Sequence, residues 1–431
     1  MNIPNRSPNW ALPLGARFNP SIRLVRSMRF ILLVAAVFGG LLIVVNPGSA
    51  QTWTLTSAPI ASWKAVASSA DGTKLVAAIQ GGSICTSTNS GAAWTRTSAP
   101  NLGWNSVASS ADGTKLVAAV HGSYGGSSIY TSTDSGGTWQ VTSAPGTNLW
   151  TSVASSADGS KLVAGGTFVI GRNYVPVGGD IFASPDSGVT WKSAGLSGGN
   201  WTSVASSSDG GRLVAAVHGG YRGNAIYSST DSGATWKPTG APSENWSSVA
   251  SSADGTKLAA TGGDIPSTNG PIYFSTNSGK AWAQTSAPIT NAWISVASSV
   301  DGTRLVALIS GGGIYTSTNS GATWTSNSAP STNWVSVASS ADGSKLVAAV
   351  NGGGIYTMQS TPLVPLLSIA GSGSNVVISW PSSAAGFALQ QNSDLTTSNW
   401  TNTPTTPTLT NFEYQVAVSP GAGNRFYRLK H

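Results

Sequence analysis

The stretch Trp104-Asn105-Ser106-Val107-Ala108-Ser109-Ser110-Ala111-Asp112-Gly113-Thr114-Lys115-Leu116 is one of seven near-copies in this chain. The copies lie 41 to 51 residues apart and begin at Trp63, Trp104, Trp150, Trp201, Trp246, Trp293 and Trp334. A period of this length is the signature of a repeat architecture.

A second motif accompanies six of the copies, as in Ser132-Thr133-Asp134-Ser135-Gly136-Gly137-Thr138-Trp139. The spacings within both motifs are constant, with eight residues from the first Trp to the Asp of Asp-Gly and four from that Asp to Leu. Only the interval from Leu to the second motif varies, from 14 to 24 residues. The sequence therefore predicts a rigid frame with one variable loop in each repeat.

Each repeat contains four short runs with strand character, and Asp-Gly between the first two is a strong hairpin signal. Four antiparallel strands repeated radially predict an all-β fold, a β-propeller. The last repeat has no fourth strand, but the segment from Gln51 to Pro59 matches one, and Trp53 lies ten residues before Trp63. We expect seven blades closed by this N-terminal strand, with Trp53 as the ring-closure residue.

The second motif resembles the Asp-box, or BNR repeat, of sialidase-like and photosystem-assembly-factor-like propellers, and the resemblance covers residues 51–358. It implies a ligand face opposite the boxes. The Asp position is Asn in half of the copies, which keeps a hydrogen-bond acceptor and loses the charge. We therefore predict structural turns at Asn89, Asp134, Asp186, Asp231, Asn277 and Asn319.

The variable loops are long in four consecutive blades, blades 2–5, and they carry the ligand-binding candidates. These are His121, Tyr124, Arg172, Tyr174, His218, Tyr221 and Arg222. The alternative is that the loops are tolerated surface insertions. The seven first-strand Trp residues offer a second alternative, as platforms for sugars, although packing between blades is the expected role.

The sequence contains few residues that could carry an enzymatic function. The resemblance to sialidases implies an arginine triad, a Tyr–Glu pair and an acidic proton donor, which this chain does not provide in recognisable form. The carboxylates outside turns and boxes are Asp180, Glu244 and Asp264 in the propeller. A glycosidase using two of these remains an alternative, and it requires a pair about 5–5.5 Å or 6.5–9.5 Å apart. No metal site or cofactor is predicted.

The first 50 residues resemble a secretory leader, with a basic region, an apolar run from Phe30 to Val45 and small residues up to Ala50. Met28 is a possible true start. Without residues 1–50 the charge falls from +7 to +2, since five of the 22 basic residues lie there and none of the 15 acidic ones does. This excludes a charge-based argument for nucleic acid. Cys85 is the only cysteine, so no intramolecular disulfide is expected.

Residues 359–366 read as a linker, and residues 367–431 contain four further strand-like runs. This segment predicts a small C-terminal β-sandwich. It resembles the fibronectin-III-like modules of secreted bacterial proteins of the verrucomicrobial type, and we expect it to act as a spacer.

We expect an exported, periplasmic, cell-surface or secreted protein that binds a glycan or a protein and has no catalytic activity. The alternatives are a sialidase-like glycoside hydrolase and a periplasmic assembly factor that binds a protein partner. A monomer is expected, with a membrane contact only if the leader is not cleaved.

Overall fold

The computed structural model describes residues 52–122, 127–167, 169–170, 175–176, 178–220, 222–263, 270–359, 367–372, 375–381, 387–394, 396–410, 413–419 and 425–430. Every regular element in these residues is a β-strand, and no helix there is long and apolar enough to cross a membrane. The fold is all-β, and its four-stranded antiparallel sheets are arranged as the blades of a propeller.

The strands follow the repeat, so that each blade runs from one first-strand Trp to the next. Blade 1 contains β2 (Ala61–Ser68), β3 (Leu75–Gly82), β4 (Ile84–Ser87) and β5 (Thr95–Arg96). Blade 2 contains β6 (Leu102–Ser109), β7 (Leu116–Val120), β8 (Ile129–Ser132) and β9 (Gln140–Val141). Blade 3 contains β10 (Leu149–Ser155), β11 (Leu162–Thr167), β14 (Ile181–Ser184) and β15 (Lys192–Ser193), with a small hairpin of β12 (Val169–Ile170) and β13 (Val175–Pro176).

The next three blades repeat the order. Blade 4 contains β16 (Gly199–Ser206), β17 (Leu213–Gly220), β18 (Ala225–Ser229) and β19 (Lys237–Pro238). Blade 5 contains β20 (Trp246–Ser251), β21 (Leu258–Gly262), β22 (Ile272–Ser275) and β23 (Ala283–Gln284). Blade 6 contains β24 (Trp293–Ser298), β25 (Leu305–Ile309), β26 (Ile314–Ser317) and β27 (Thr325–Ser326).

Blade 7 is built from both ends of the repeat region. It contains β28 (Trp334–Ser339), β29 (Lys345–Gly353), β30 (Ile355–Gln359) and β1 (Trp53–Leu55). β1 pairs antiparallel with β30, and Trp53 lies opposite Met358. Trp53 is buried against Trp334, with ring centroids 6.2 Å apart. The N-terminal strand thus covers an edge that would otherwise be open.

The seven blades form a closed ring through their first hairpin turns. In each turn one backbone N–H donates to the corresponding carbonyl of the next blade, at 2.7–2.8 Å. The sequence of donors and acceptors returns to its start: Ala70, Ala111, Ala157, Ser208, Ala253, Val300, Ala341 and again Ala70.

Serine side chains add a second set of bonds between blades, near the ring axis. Two residues after the first-strand Trp, a Ser hydroxyl accepts a backbone N–H of a Val in the next blade, as for Ser152 and Val204 at 3.0 Å. Six blades have this bond, and blade 1 has Ala65 at the position instead. Small polar residues therefore suit the strand nearest the axis, because neighbouring blades approach closely there and a short side chain can form a hydrogen bond between them.

The core lies between neighbouring blades. The seven first-strand Trp side chains are at most 1% exposed, and each packs with Val, Leu and Ala residues of its own and the adjacent blade. Burying these seven indoles supplies much of the apolar area that stabilises the ring.

The C-terminal segment forms two sheets. One contains β31 (Ser368–Ser372), β32 (Asn375–Pro381), β36 (Glu413–Val418) and β35 (Thr408–Thr410), and the other contains β34 (Thr401–Asn402), β33 (Ala388–Asn392) and β37 (Phe426–Lys430). Ile378, Trp380 and Val416 of the first sheet and Leu389 of the second form one buried cluster. The two sheets therefore share a core.

Candidate functional site

The propeller has two dissimilar ends. We call the end with the Asp-Gly hairpins and the boxes the turn face. We call the other end the loop face; it carries the connections between second and third strands and the segments that lead into each first-strand Trp. In blades 6, 7 and 1 the connections on the loop face are short, tight hairpins. Each is closed by a hydrogen bond of 3.0–3.1 Å from a backbone N–H to a backbone carbonyl: Ile309 to Gly313, Val350 to Gly354 and Ile79 to Ser83.

Three of the predicted ligand-binding residues lie in the described part of the chain, namely His121, His218 and Arg222. Tyr124, Arg172, Tyr174, Tyr221 and the carboxylate candidate Asp264 lie outside the described residues. His121 directly follows β7 and is exposed, while His218 lies within β17 and is half-buried. The backbone N–H of His121 donates to Gly103 at 2.9 Å, which fixes the start of its loop.

Arg222 is held by the protein itself. Its guanidinium donates to the carbonyls of Leu196 and Ser197 at 3.0 and 3.1 Å, and it lies over the Tyr227 ring at 5.8 Å. Because these acceptors precede the first strand of the same blade, Arg222 fastens the blade 4 loop to the segment that enters that blade. The Nε–H and one Nη2–H of Arg222 are therefore engaged within the protein.

Asp180 is also occupied by local hydrogen bonds. Its carboxylate accepts the backbone N–H groups of Ile181 and Leu196 at 2.7 and 2.8 Å and the Ser193 hydroxyl at 2.6 Å. Three donors around one carboxylate hold the surrounding segments together. Asp180 therefore holds its loop in place through these hydrogen bonds.

Glu244 is half-buried and accepts a hydrogen bond from the Tyr273 hydroxyl at 3.4 Å. Burial, and then the negative charge of Glu244, raise the pKa of Tyr273. The phenol therefore stays protonated as the donor to Glu244.

The boxes are hydrogen-bonded turns. In blade 2, Asp134 accepts the N–H of Thr138 at 2.8 Å and the hydroxyl of Ser132 at 2.8 Å. These bonds, led by that from the Thr138 backbone, lower the pKa of Asp134. Asn89 accepts the equivalent bonds from Ala93 and Ser87, so Asn serves as well as Asp. In both boxes the backbone donor lies four residues after the Asp or Asn.

The Asp-Gly hairpins are built in a similar way. The Ser69 hydroxyl and then the Thr73 backbone lower the pKa of Asp71 to about 2. Gly72 has a φ of 68°, a conformation that suits glycine. Each of the seven hairpin carboxylates thus accepts hydrogen bonds from donors of its own turn.

The basic residue after each Asp-Gly turn reaches the next blade, a contact that the sequence did not indicate. The Lys345 ammonium donates to the carbonyl of Asp71 at 2.9 Å, and that of Lys257 donates to Asp301 at 2.7 Å. Arg212 donates to the box serine Ser278 at 2.9 Å. These cations strengthen the joints of the turn face.

The loop-face end of each first strand contains a β-bulge. The register with the second strand shifts between the Trp and the residue two positions on, in all seven blades. The residue between is left out of the ladder, and such bulges re-aim side chains at rims and sites. Because the first strands neighbour one another around the axis, the bulged residues form a ring, which we call the mouth ring: Lys64, Asn105, Thr151, Thr202, Ser247, Ile294 and Val335.

The mouth ring is not uniform. The side chains of Asn105, Thr202 and Ser247 donate to backbone carbonyls of the next blade at 2.8–2.9 Å, and Thr151 bonds to the next blade in the same way. The ring positions of blades 6 and 7 are aliphatic, and Lys64 carries the one charge of the ring. Sequence reasoning missed this set, although the Trp and the Val three residues later, such as Trp63 and Val66, are both buried in all seven blades, an odd spacing that breaks the strict alternation of a strand.

The buried first-strand Trp residues are not sugar platforms, because at most 1% of each is exposed. In the described residues no group of three or more His, Cys, Asp or Glu side chains is placed to hold a metal ion.

Comparison with known proteins supports the propeller fold. No family model and no curated protein matches the chain. Among solved structures, a GH74 xyloglucanase from Xanthomonas campestris superposes with a TM-score of 0.56 at 17% identity, over 77% of this chain and 60% of that enzyme. YCF48 from Cyanidioschyzon merolae superposes with a TM-score of 0.54 at 16% identity, over 72% of this chain and 99% of that protein. A structure of YCF48 bound to D1 peptide gives a TM-score of 0.53 at 16% identity, over 73% and 97%. The chain thus spans about 60% of the xyloglucanase and nearly the whole of YCF48, and at these identities the likeness shows that its fold is a β-propeller.

Proposed function

We propose that this protein is an exported, non-catalytic binding protein that takes a glycan or a protein partner on its loop face. The observation that carries the proposal is the state of the carboxylates. Ten of the twelve described in the propeller belong to hairpins or boxes, and the pKa of each is lowered. The other two are Asp180, which accepts three local bonds, and Glu244, which faces a tyrosine hydroxyl. A hydrolase needs a carboxylic acid that can donate its proton, and the ten carboxylates with a lowered pKa do not suit that task.

The course of the chain supports use of the loop face. β1 begins at the turn face, and β30 returns there, where Gln359 lies beside Gly72. The segments before residue 52 and after residue 359 therefore join the propeller at the turn face. Both ends of the described propeller chain thus lie opposite the loop face, on which exposed aliphatic side chains such as Ile60 and Ile289 lie.

Two exposed aliphatic residues allow a matched test of this face. Ile289 is 55% exposed on the loop face, and Val189 is 69% exposed in a box on the turn face. Binding to a glycan array, and recovery of exported proteins by the purified chain, are measured for Ile289→Asp and Val189→Asp, together with Tyr174→Ala and Tyr221→Ala in the long loops. We expect the loop-face changes to reduce binding and Val189→Asp to leave it intact. Equal loss from both aspartate variants would contradict the proposal.

A glycoside hydrolase is the second candidate, favoured by the likeness to a xyloglucanase and to an ancestral GH74 enzyme. It would use two of the three carboxylates Asp180, Glu244 and Asp264. Release of reducing sugar from xyloglucan or sialyl conjugates, abolished by Glu244→Gln or Asp264→Asn with an unchanged melting temperature, would establish it. An assembly factor is distinguished by a protein partner that is recovered without any glycan binding.

The exported state, the spacer role of the C-terminal segment and the monomer are parts of the same proposal. N-terminal sequencing of the mature protein should begin at Gln51 if the leader is cleaved. Light scattering after gel filtration should give the mass of one chain.

A further inference from the structure

We infer that β31, an edge strand of the C-terminal segment, pairs with β31 of a second copy of this chain. The two strands run antiparallel about a two-fold axis at Ala370, and they join two four-stranded sheets into one sheet. The inference goes beyond the proposed function, which concerns the loop face of the propeller. It also refines the expected monomer, which becomes the state of the chain in dilute solution.

β31 is an open edge. It lies at the end of its sheet, and Ser368, Ile369, Ala370 and Gly371 are all exposed. Its ladder with β32 is regular, without a bulge, and the strand contains no charged residue and no proline. A regular, uncharged edge presents its unpaired N–H and C=O groups to a further strand.

The other described outer edges are protected. The outer strands of the blades are two or three residues long, as are β12, β13, β34 and β35. β37 is five residues long like β31, but it carries Arg428 and Lys430. Short strands and cations are devices by which proteins prevent strand addition. In the described chain, β31 is thus the outer edge that can still accept a strand.

The backbone groups of β31 determine the register of the pair. Ser372 and Asn375 are paired and only three residues apart, so they bond to each other directly. Bonded and non-bonded pairs alternate along an antiparallel ladder, so Ala370 also bonds to β32, while the N–H and C=O groups of Ile369 and Gly371 point away from it. An antiparallel partner centred on Ala370 places Ile369 opposite Gly371 of the second copy. Each of these two equivalent pairs then exchanges two hydrogen bonds.

The side chains fit the same register. Ile369 lies opposite the buried Ile378 and points to the core side of the sheet, yet it is 40% exposed. Apart from the neighbours of Gly371 in the chain, no described atom lies within 4 Å of the position that a Cβ on this glycine would occupy. Ile369 of one copy covers Gly371 of the other and leaves water as it does so. A glycine within a strand is also typical of a place where another backbone approaches closely.

The contact between the two copies is small. A stable interface uses about 20–30 residues on each side, whereas β31 contributes 5 residues. We therefore expect one chain in dilute solution and reversible pairs as the concentration rises. Two paired chains present two propellers to a polymeric or surface-bound ligand, which strengthens binding without any new contact to the ligand.

Cysteine substitution tests the register. Cys85 is the only cysteine of the chain and is buried, so one introduced thiol per chain links two copies. On the two-fold axis, the Ala370 residues of the two copies form a non-bonded pair with Cα atoms about 4.5 Å apart, which suits a disulfide. Ala370→Cys should therefore give disulfide-linked dimers in oxidised glutathione. Ser368→Cys is the matched control, because Ser368 is exposed on the same face of β31 but its two copies lie about 13 Å apart. Equal yields of dimer from the two variants would overturn the inference.

Sedimentation velocity of the purified chain over a series of concentrations measures the pairing itself. Ile369→Lys should weaken it about ten-fold or more, because both equivalent pairs lose an apolar contact and two like charges approach each other. Gly371→Pro should also weaken it, since it removes an N–H that points away from β32. Val141→Lys is the control, at an exposed aliphatic residue of the two-residue strand β9, and should pair normally. The mass of one chain at every concentration would contradict the pairing.

Amide hydrogen exchange distinguishes a second copy from other coverings of this edge. In dilute solution the amides of Ile369 and Gly371 should exchange freely, whereas that of Ala370, which bonds to β32, should be protected. At high concentration all three should be protected. Protection of Ile369 in the dilute chain would show that the chain covers its own edge. A mixed disulfide of Ala370→Cys with a different exported protein would show that the edge takes a foreign strand, and either result would refute the two-fold pair.

Discussion

Trp53→Ala should open the ring at blade 7. The side chain is 6% exposed and packs on Trp334 and Met358. Burying an indole removes about 200 Å² from water, which at about 25 cal/mol per Å² corresponds to about 5 kcal/mol. Measured Trp→Ala losses lie at about 3–5 kcal/mol. The loss cannot exceed the free energy that binds β1 to the ring, because beyond it the strand detaches. We therefore expect about 3 kcal/mol.

Urea unfolding followed by far-UV circular dichroism measures this change, with limited proteolysis to detect detachment of the N-terminal strand. Thr54→Ala is the control, because Thr54 lies on the same strand and is exposed. Deletion of residues 52–57 should destabilise the ring at least as much, and a synthetic peptide of residues 52–59 should restore stability in proportion to its concentration. If Trp53→Ala unfolds at the same urea concentration as Thr54→Ala, β1 does not close the ring.

Three further predictions concern the joints and turns. Ser152→Ala should cost about 1 kcal/mol by removing the acceptor for the next blade, whereas Ala65→Ser should add the missing bond and raise the melting temperature; opposite shifts would argue against the serine contacts. The pKa values of Asp71 and Asp112 are lowered from 3.8 to about 2, so their contribution to stability is complete above pH 3.8 and is lost as the pH falls towards 2. Acid titration of the folded fraction should show this loss, and a flat profile down to pH 2 would contradict it. Ser135 has a φ of 58°, so Ser135→Gly should stabilise the protein by about 0.5 kcal/mol in urea unfolding, and destabilisation would show that its side chain is needed.

The sequence predicted the all-β propeller because each repeat specifies its own hairpins, as Asp112-Gly113 and the blade 2 box show. Local chemistry determines these turns, so spacing alone reveals them. The contacts between blades depend on the curvature of the ring, which no single repeat encodes. Lys345 bonding to Asp71 is such a contact, and so is the arrangement of the mouth ring.

The candidate site was predicted less completely, for a related physical reason. The sequence shows which residue types the long loops contain. The bonds that Asp180 and Arg222 make to the segment around Leu196 form only when the loops fold against that segment. Those bonds give one candidate catalytic carboxylate, Asp180, and one candidate ligand-binding residue, Arg222, a role in holding the loop in place. The β-bulge, by contrast, left a trace in the sequence, since the Trp and the Val three positions later cannot lie on one face of a regular strand.

The seven copies of the repeat serve as controls for one another. The first-strand Trp and the Asp-Gly pair are identical in all seven, as expected where every blade makes the same contacts. The bulged position holds six residue types in seven blades, although its backbone surroundings are equivalent. Ile294 and Val335 show that the fold accepts an aliphatic side chain there, so neither a bond to the next blade nor a charge is required. The architecture therefore constrains the bulged position less than it constrains the Trp and the Asp-Gly pair, and Lys64 is one of several side chains that the position accepts.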